Sequence, residues 1–276
     1  MAITSSMKIV IMQDVIDITW WQLLGFSTTL SIPFLISRYY KLDLNKDACI
    51  SILRMTVQLA LVGLYLEYLF YLDNVIVNVI WLTVMVVVGG SAILSKARLP
   101  KKSLLPYTVL SLLIGLLPIV TVLCVVIIQP VPAYSAQYVI PLAGMLLGNS
   151  LSGNIVALQN FYGALQDRWT EYEAAISLGA PVPLATLPFV RLALQKSLAP
   201  ILATIATTGL VSLPGMMTGQ ILGGASPLVA IKYQLLIMLA IFVMMSVSIT
   251  INLNLIVRRS FSPAGKPYAL PQSDTR

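Results

Sequence analysis

The sequence predicts an all-α, polytopic membrane protein of about seven transmembrane helices, N-terminus outside and C-terminus cytoplasmic, with a short cytoplasmic helix between spans five and six. Three observations predict it. Of the 276 residues, 58% are hydrophobic and only 10% are charged, whereas soluble domains are about 25% charged. Charge-free apolar runs recur at the length of one crossing, since a hydrocarbon core about 30 Å thick takes roughly 20 residues of helix. The Lys and Arg residues, finally, gather in alternate loops.

The first span is 18–37, free of Asp, Glu, Lys and Arg. The residues before it lack the apolar core and cleavage site of a signal peptide, so this span is expected to act as an uncleaved signal. The second, 48–71, is apolar but contains Arg54 and Glu67, and the third is the charge-free run 75–94. Residues 103–166 then carry no charge for 64 positions; as one helix they would be about 96 Å long, so the run must fold back. The breaker is Gln129-Pro130-Val131-Pro132-Ala133-Tyr134-Ser135, because each proline restricts itself and its predecessor. A fourth span near 104–128 and a fifth near 137–161 result. The sixth is expected at 197–221, before Gly223-Gly224-Ala225-Ser226-Pro227 turns the chain, and the seventh at 233–257. Residues 174–190 are also apolar, but Gly179, Pro181, Pro183 and Pro188 interrupt them, and they are assigned to a cytoplasmic loop over 162–196. The chain is thus one transmembrane domain, 1–276, ending in a loose polar tail over 260–276.

Orientation follows from the basic residues. Segments 38–47, 95–103, 162–196 and 258–276 hold fourteen of the 17 Lys and Arg, against Lys8 and Lys232 on the other side and Arg54 within a span. The side rich in Lys and Arg is cytoplasmic. Spread in this way, the formal net charge of +7 marks topology and not a nucleic-acid surface; the partner it implies is the lipid bilayer of the cytoplasmic membrane. With no His, and Cys49 and Cys124 as the only cysteines, the chain offers no His-based metal or acid–base site and no disulfide framework. Its one Gly-Lys pair, Gly265-Lys266, precedes Pro267, so it has no phosphate-binding P-loop.

The loop before the sixth span contains Asp167-Arg168-Trp169-Thr170-Glu171-Tyr172-Glu173-Ala174-Ala175-Ile176-Ser177-Leu178-Gly179-Ala180. Thr170 with Glu173 fits a capping box, and Leu178-Gly179 fits a helix ended by a left-handed residue, so a helix of about two turns is expected. Glu171 and Glu173 fall in its first turn, at the positive end of the dipole. Ala174 and Ala175 keep its surface low enough for another protein to approach.

Glu173-Ala174-Ala175 followed by Gly179 resembles the EAA loop of ABC-transporter permeases. The surroundings extend the likeness: Ile140-Pro141-Leu142-Ala143-Gly144-Met145-Leu146-Leu147-Gly148-Asn149-Ser150, then Gly209-Leu210-Val211-Ser212-Leu213-Pro214-Gly215-Met216-Met217-Thr218-Gly219-Gln220-Ile221, with Arg54 and Gln58 in span two and Ser226-Pro227-Leu228 before span seven. Together they resemble the FetB/YbbM-type ABC permeases, a group of bacterial iron-export and plant aluminium-tolerance permeases. The resemblance implies a non-catalytic permease subunit working as a homodimer. Glu171, Glu173, Ala174, Ala175 and Gly179 would form a coupling helix docked on two copies of a separate P-loop ATPase. ATP and Mg would belong to that partner, with no cofactor bound by this chain, and the substrate would be iron or another metal. Two departures stand out. The Leu187-Pro188 pair comes early for the second half of the EAA pattern, and Val229 occupies a position that is commonly acidic in the family.

Other residues carry two readings. Arg54, with Gln58 one turn on, either snorkels to the headgroups or serves a cytoplasmic gate; Glu67 is read as a solvated interfacial carboxylate. Gly148, Ser152 and their small neighbours suit close helix packing, with Asn149 bonding across the contact; alternatively Asn149 and Asn154 line the path. Pro214-Gly215 should open the sixth span, where freed carbonyls, Met216, Met217 and Gln220 are candidates to contact a substrate. A permease for an organic metabolite and an ion-coupled carrier are the competing readings.

Overall fold

The computed structural model describes residues 17–42, 44–72, 74–262, 265, 266 and 268; the stretch 1–16 and the end of the expected tail, 269–276, lie outside the described residues. Among the described residues, regular structure is helical apart from an isolated bridge between Thr208 and Ser212 and a bridge residue at Phe261. The chain groups into two compact units, one within Met1–Tyr71 and Gly215–Lys232, the other within Leu72–Pro214 and Tyr233–Arg276.

The first unit starts with α1 (Trp20–Ser27), a 3-10 turn (Thr28–Leu30) and α2 (Ser31–Tyr39). Thr19 caps α1: its hydroxyl accepts from Gln22 N at 3.4 Å, and Gln22 Oε1 accepts from Thr19 N at 2.9 Å. The 3-10 turn has a local cause. Pro33 lacks the N–H that would reach the Thr29 carbonyl, and the Thr28 and Thr29 hydroxyls donate back to Gly25 O and Phe26 O at 2.7 Å, tightening the turn. After them comes α3 (Asn45–Leu72), the helix that carries Arg54. A cleft of about 380 Å³ lined by Pro33, Phe34, Ala48 and Ile52 lies between α2 and α3.

The second unit contains α4 (Val75–Lys96), α5 (Lys101–Thr121) prolonged by a π-helical turn (Val122–Ile128), α6 (Ala136–Asp167), α7 (Trp169–Ser177) and α8 (Val182–Thr207). The 34-residue α10 (Pro227–Ser260) contributes everything from Tyr233 onward. Gln129 in the left-handed region, φ 50°, ends the π turn, and the chain reverses over 129–135 where the prolines predicted it. Contacts centre on α6, which packs on α4, α5 and α8. Its face toward α10 is close: a Cβ at Gly153 would lie 2.5 Å from Met245 Cε and 2.9 Å from Ile249 Cδ1. Small residues at such crossings let backbones approach where no hydrophobic force holds helices together in lipid.

Among the described residues, six helices are long and apolar enough to cross a membrane: α3, α4, α5 with its π turn, α6, α8 and α10. One expectation is narrowed and one is corrected. The expected first span is helical from Trp20 to Tyr39 but is interrupted by the 3-10 turn, so it is not among the six. The sixth span does not run 197–221. Its helix, α8, starts at Val182 and stops at Thr207, and the rest becomes an irregular stretch and the eight-residue α9 (Gly215–Leu222). Pro181 and Pro183 do not block the start, because first-turn N–H groups need no helical partner. Pro188 and Pro200 lie inside α8, where burial of Ala185, Phe189, Val190 and Ala193 holds the helix. Gly209, with φ +89°, and Pro214 end it instead.

Candidate functional site

Asp167 ends α6 and Arg168 serves as both its C-cap and the N-cap of α7. The expected capping box is absent, because α7 begins at Trp169 and Thr170 is already inside it. Arg168 and Glu171 replace it. The guanidinium donates Nε–H to Glu171 Oε1 at 2.8 Å and a second bond from Nη2 to Oε2, the paired geometry arginine offers a carboxylate. The same guanidinium lies 5.4 Å from the centre of the Phe189 ring on α8. The C-terminus forms as predicted. Gly179 N donates to Ile176 O at 2.9 Å and Ala180 N to Ala175 O at 3.0 Å, with Gly179 at φ +87°: a Schellman end, which needs the left-handed residue that glycine supplies.

The helix has two unlike faces. Glu171, Glu173, Ala174 and Gly179 are exposed, and Leu178 is 89% exposed at the tip. Beside it opens a cleft of about 340 Å³ with Ala175, Leu178, Leu184 and Pro188 on its walls and Glu171 at its edge. The inner face is Trp169, Tyr172 and Ile176. Tyr172 is 2% exposed, its ring packs on Trp169 and Phe261 with centroids 5.3 and 5.5 Å away, and its hydroxyl donates to Gly265 O at 2.8 Å. Burial pushes its phenol pKa up. The expectation of a loose tail is therefore corrected for Phe261, Ser262, Gly265 and Lys266, which fold against α7 or into the turn that does. The 169, 172, 176 spacing of large apolar residues was the available signal that this helix has an inner face.

The hydrogen bond from Arg168 holds the Glu171 carboxyl below the ordinary glutamate range. A carboxylate whose pKa is lowered by folding favours the folded corner fully above its unfolded value, and that contribution is lost as pH falls through the lowered one. Exposure keeps the effect small. In a variant with Trp20, Trp21 and Trp81 replaced by Phe, so that Trp169 alone reports, the fluorescence should titrate with a midpoint below that of an ordinary glutamate, and Glu171→Gln should remove the transition.

The path candidates divide between the units. Arg54 and Gln58 stand one turn apart on α3, both exposed. Met216, Met217 and Gln220 are half-buried on α9, and Gln220 Oε1 is shielded from solvent with no hydrogen-bond partner among the described residues. Pro214-Gly215 separates the irregular stretch from α9, so the predicted opening of the helix is present. In the second unit, Asn149 is exposed and donates to Met145 O of its own helix at 2.9 Å, and nothing lies within 4 Å of a Cβ at Gly148. This corrects the packing assigned to Gly148, Ser152 and Asn149: the close contact falls one step round the helix, on Ser150, Gly153 and Asn154. Ser150 and Ser248 hydroxyls are 2.6 Å apart, Asn154 Nδ2 reaches Ser150 O at 2.8 Å, and Asn252 Nδ2 donates to Asn154 Oδ1 at 2.8 Å. All four side chains are at most 1% exposed, so Asn154 joins helices and does not line an open path. Among the described residues no three His, Cys, Asp or Glu side chains cluster as metal ligands.

Six long apolar helices among the described residues, of which α6 and α10 are joined by buried polar contacts, with the short α7 exposed between α6 and α8, define a multi-pass all-α membrane protein. Residues 20–261 match the family model described as "Uncharacterised protein family (UPF0014)", and the chain belongs to that family. A UPF0014 membrane protein of Synechocystis is 36% identical over 208 residues, 75% of this chain and 80% of its own. Protein ALUMINUM SENSITIVE 3 of Arabidopsis thaliana is 35% identical over 208 residues, 75% of this chain and 74% of its own. The Escherichia coli protein named "Probable iron export permease protein FetB" is 29% identical over 234 residues, 84% and 88% of the two chains. No solved structure matches.

Proposed function

We propose that the chain is the permease subunit of an ABC transporter, acting as a homodimer in the cytoplasmic membrane and exporting iron or another metal with energy from two copies of a separate ATPase. The observation that carries this is α7: a capped two-turn helix with an exposed acidic and alanine face, an apolar tip at Leu178 and a cleft beside it. Leu178 is 89% exposed and continuous with Ala175, Ala180, Leu184 and Pro188 along the cleft, an apolar patch of the kind that suits burial against a second protein. ATP and Mg are bound by that partner; Glu171, Glu173, Ala174, Ala175 and Gly179 receive its movement. Membership of a family that includes a protein named for iron export supports the cargo. Arg54, Gln58, Asn149, Pro214, Gly215, Met216, Met217 and Gln220 are the candidates for gate and path. Here any cation would meet carbonyl, amide and thioether donors, a softer and weaker set than a carboxylate cage.

The interrupted run Trp20–Tyr39 completes seven crossings in this reading. Its twenty residues reach about 30 Å at helical rise, one hydrocarbon thickness, and Trp20, Trp21 and Phe26 are exposed along it. With the Lys- and Arg-rich segments facing the cytoplasm, this reading puts α7 on the cytoplasmic side.

The test pairs sidedness with association. In a background lacking Cys49 and Cys124, Ala174→Cys should react with an impermeant thiol reagent only from the cytoplasmic side. A P-loop ATPase encoded beside the gene should co-purify with the wild type, and Glu173→Lys with Leu178→Asp should reduce that recovery at least tenfold. Labelling from the exterior alone, or undiminished recovery of the ATPase with the double variant, would overturn the assignment.

A further inference from the structure

We propose that Phe261, Ser262, Gly265 and Lys266, just after α10, form a strap that positions the coupling helix and links its movement directly to α10. The inference rests on the coupling reading above and adds a component to it.

By the chain alone, α7 is held at Arg168 on one side and by the corner 178–181 on the other, with Gly179 at that corner. Packing on α8 and α6 adds to this. The strap adds a third attachment from a distant part of the sequence. Tyr172 donates to the Gly265 carbonyl in a buried bond of 2.8 Å across 93 residues. Phe261 stacks on the same ring. Gly265, at φ +78°, leaves no room beside Ile176: a Cβ there would lie 2.9, 3.1 and 3.2 Å from the Cγ2, Cγ1 and Cδ1 of that side chain. The fit is to glycine.

The strap is itself tied down. Gly265 N donates to Ser262 O at 2.9 Å, Ser262 N to Lys266 O at 2.7 Å, and Lys266 N to Ser262 Oγ at 3.0 Å. Tyr268 N returns to Ser260 O at 2.6 Å. At the root, the Ser260 hydroxyl lies 2.8 Å from that of Tyr162 on α6, and both residues are at most 1% exposed. A displacement of α7 therefore meets a closed hydrogen-bonded turn that continues within one residue into α10. Without the strap, the only covalent route from α7 toward the later helices passes through the glycine corner and α8. A tail that served solubility alone would need neither a buried phenol as its anchor nor a glycine shaped to an isoleucine.

Tyr172 is thus a positioning residue. Tyr172→Phe keeps the ring and deletes the bond; Gly265→Ala acts from the strap, against Ile176, and leaves the sequence of α7 unaltered. In proteoliposomes holding the full permease and its ATPase, ATP hydrolysis and iron flux are measured together, with recovery of the ATPase as a third readout. The wild type should show ATP-dependent flux. Both variants should recover the ATPase normally, yet hydrolyse roughly three- to tenfold more ATP per ion moved. In a background lacking Cys49 and Cys124, an Ile176→Cys, Gly265→Cys pair should cross-link on oxidation, and the cross-link should restore the ratio in Tyr172→Phe. Unchanged ratios in both variants, or loss of the ATPase from Tyr172→Phe, would overturn the strap while leaving the coupling reading standing. Failure of the wild type itself to bind the ATPase would instead remove the coupling reading, and the strap's role with it.

Discussion

Asn154→Leu is expected to lower the unfolding free energy of the bundle by about 2–4 kcal/mol. Leucine is close in size, so the loss is of bonds and not of volume. The Ser150 carbonyl, the Ser248 hydroxyl and the Asn252 amide all face Asn154, and the substitution leaves the Asn252 amide buried without its acceptor. A bond between membrane helices is worth about 0.6–2 kcal/mol, and an orphaned buried polar group about 1–3 kcal/mol. Asn149→Leu, five residues earlier, is the control: its amide bonds only to its own helix, and it should stay within about 0.5 kcal/mol of wild type. Reversible unfolding in mixed detergent micelles measures both. Equal losses in the two variants would contradict the assignment of the α6–α10 contact to Asn154.

If α7 couples to an ATPase as proposed, Gly179→Val should reduce stimulation of that ATPase about tenfold while the bundle unfolds as in wild type. A left-handed backbone costs an L-residue about 1–2 kcal/mol, more when it is β-branched, and 1.4 kcal/mol is a factor of ten in the population of the native corner. The Schellman bonds of Gly179 and Ala180 are lost with it, and Leu178 no longer sits at a fixed tip. Gly179→Asn, which tolerates this region, should recover most of the stimulation. Vesicles assembled with each variant and the ATPase provide the measurement. Full stimulation with valine would show that the corner's geometry plays no part in coupling.

Where local chemistry dictates structure, the sequence was readable. Pro130 and Pro132 break the long apolar run, Gly179 ends α7, and Pro214-Gly215 separates two helices, each because a missing donor or a positive φ acts on immediate neighbours. Apolar length identified the long helices for the same reason. Position round a helix was less legible: Asn149 and Asn154 sit on different faces of α6, and only the place of α10 decides which one is buried. The start of α8 was hidden because prolines near 181–188 read as breakers, although two of them occupy a helix start and the third is held by packing. The first turn of α7 was misassigned because a capping box and an arginine–glutamate pair compete for the same few residues. The strap left no local trace. Gly265 and Tyr172 meet across 93 residues, and polar, proline-containing composition says nothing about a partner so remote.

The serine and asparagine seam between α6 and α10 bears on how the molecule can move. Its donors find acceptors in the observed register, and only the Asn252 side-chain carbonyl oxygen lacks a partner among the described seam residues. In a solvent of acyl chains, sliding or rotating one helix against the other would strand several dipoles at once, with no water to receive them. α6 and the part of α10 from Tyr233 onward are therefore expected to move together, and a passage through the bilayer would open along other seams.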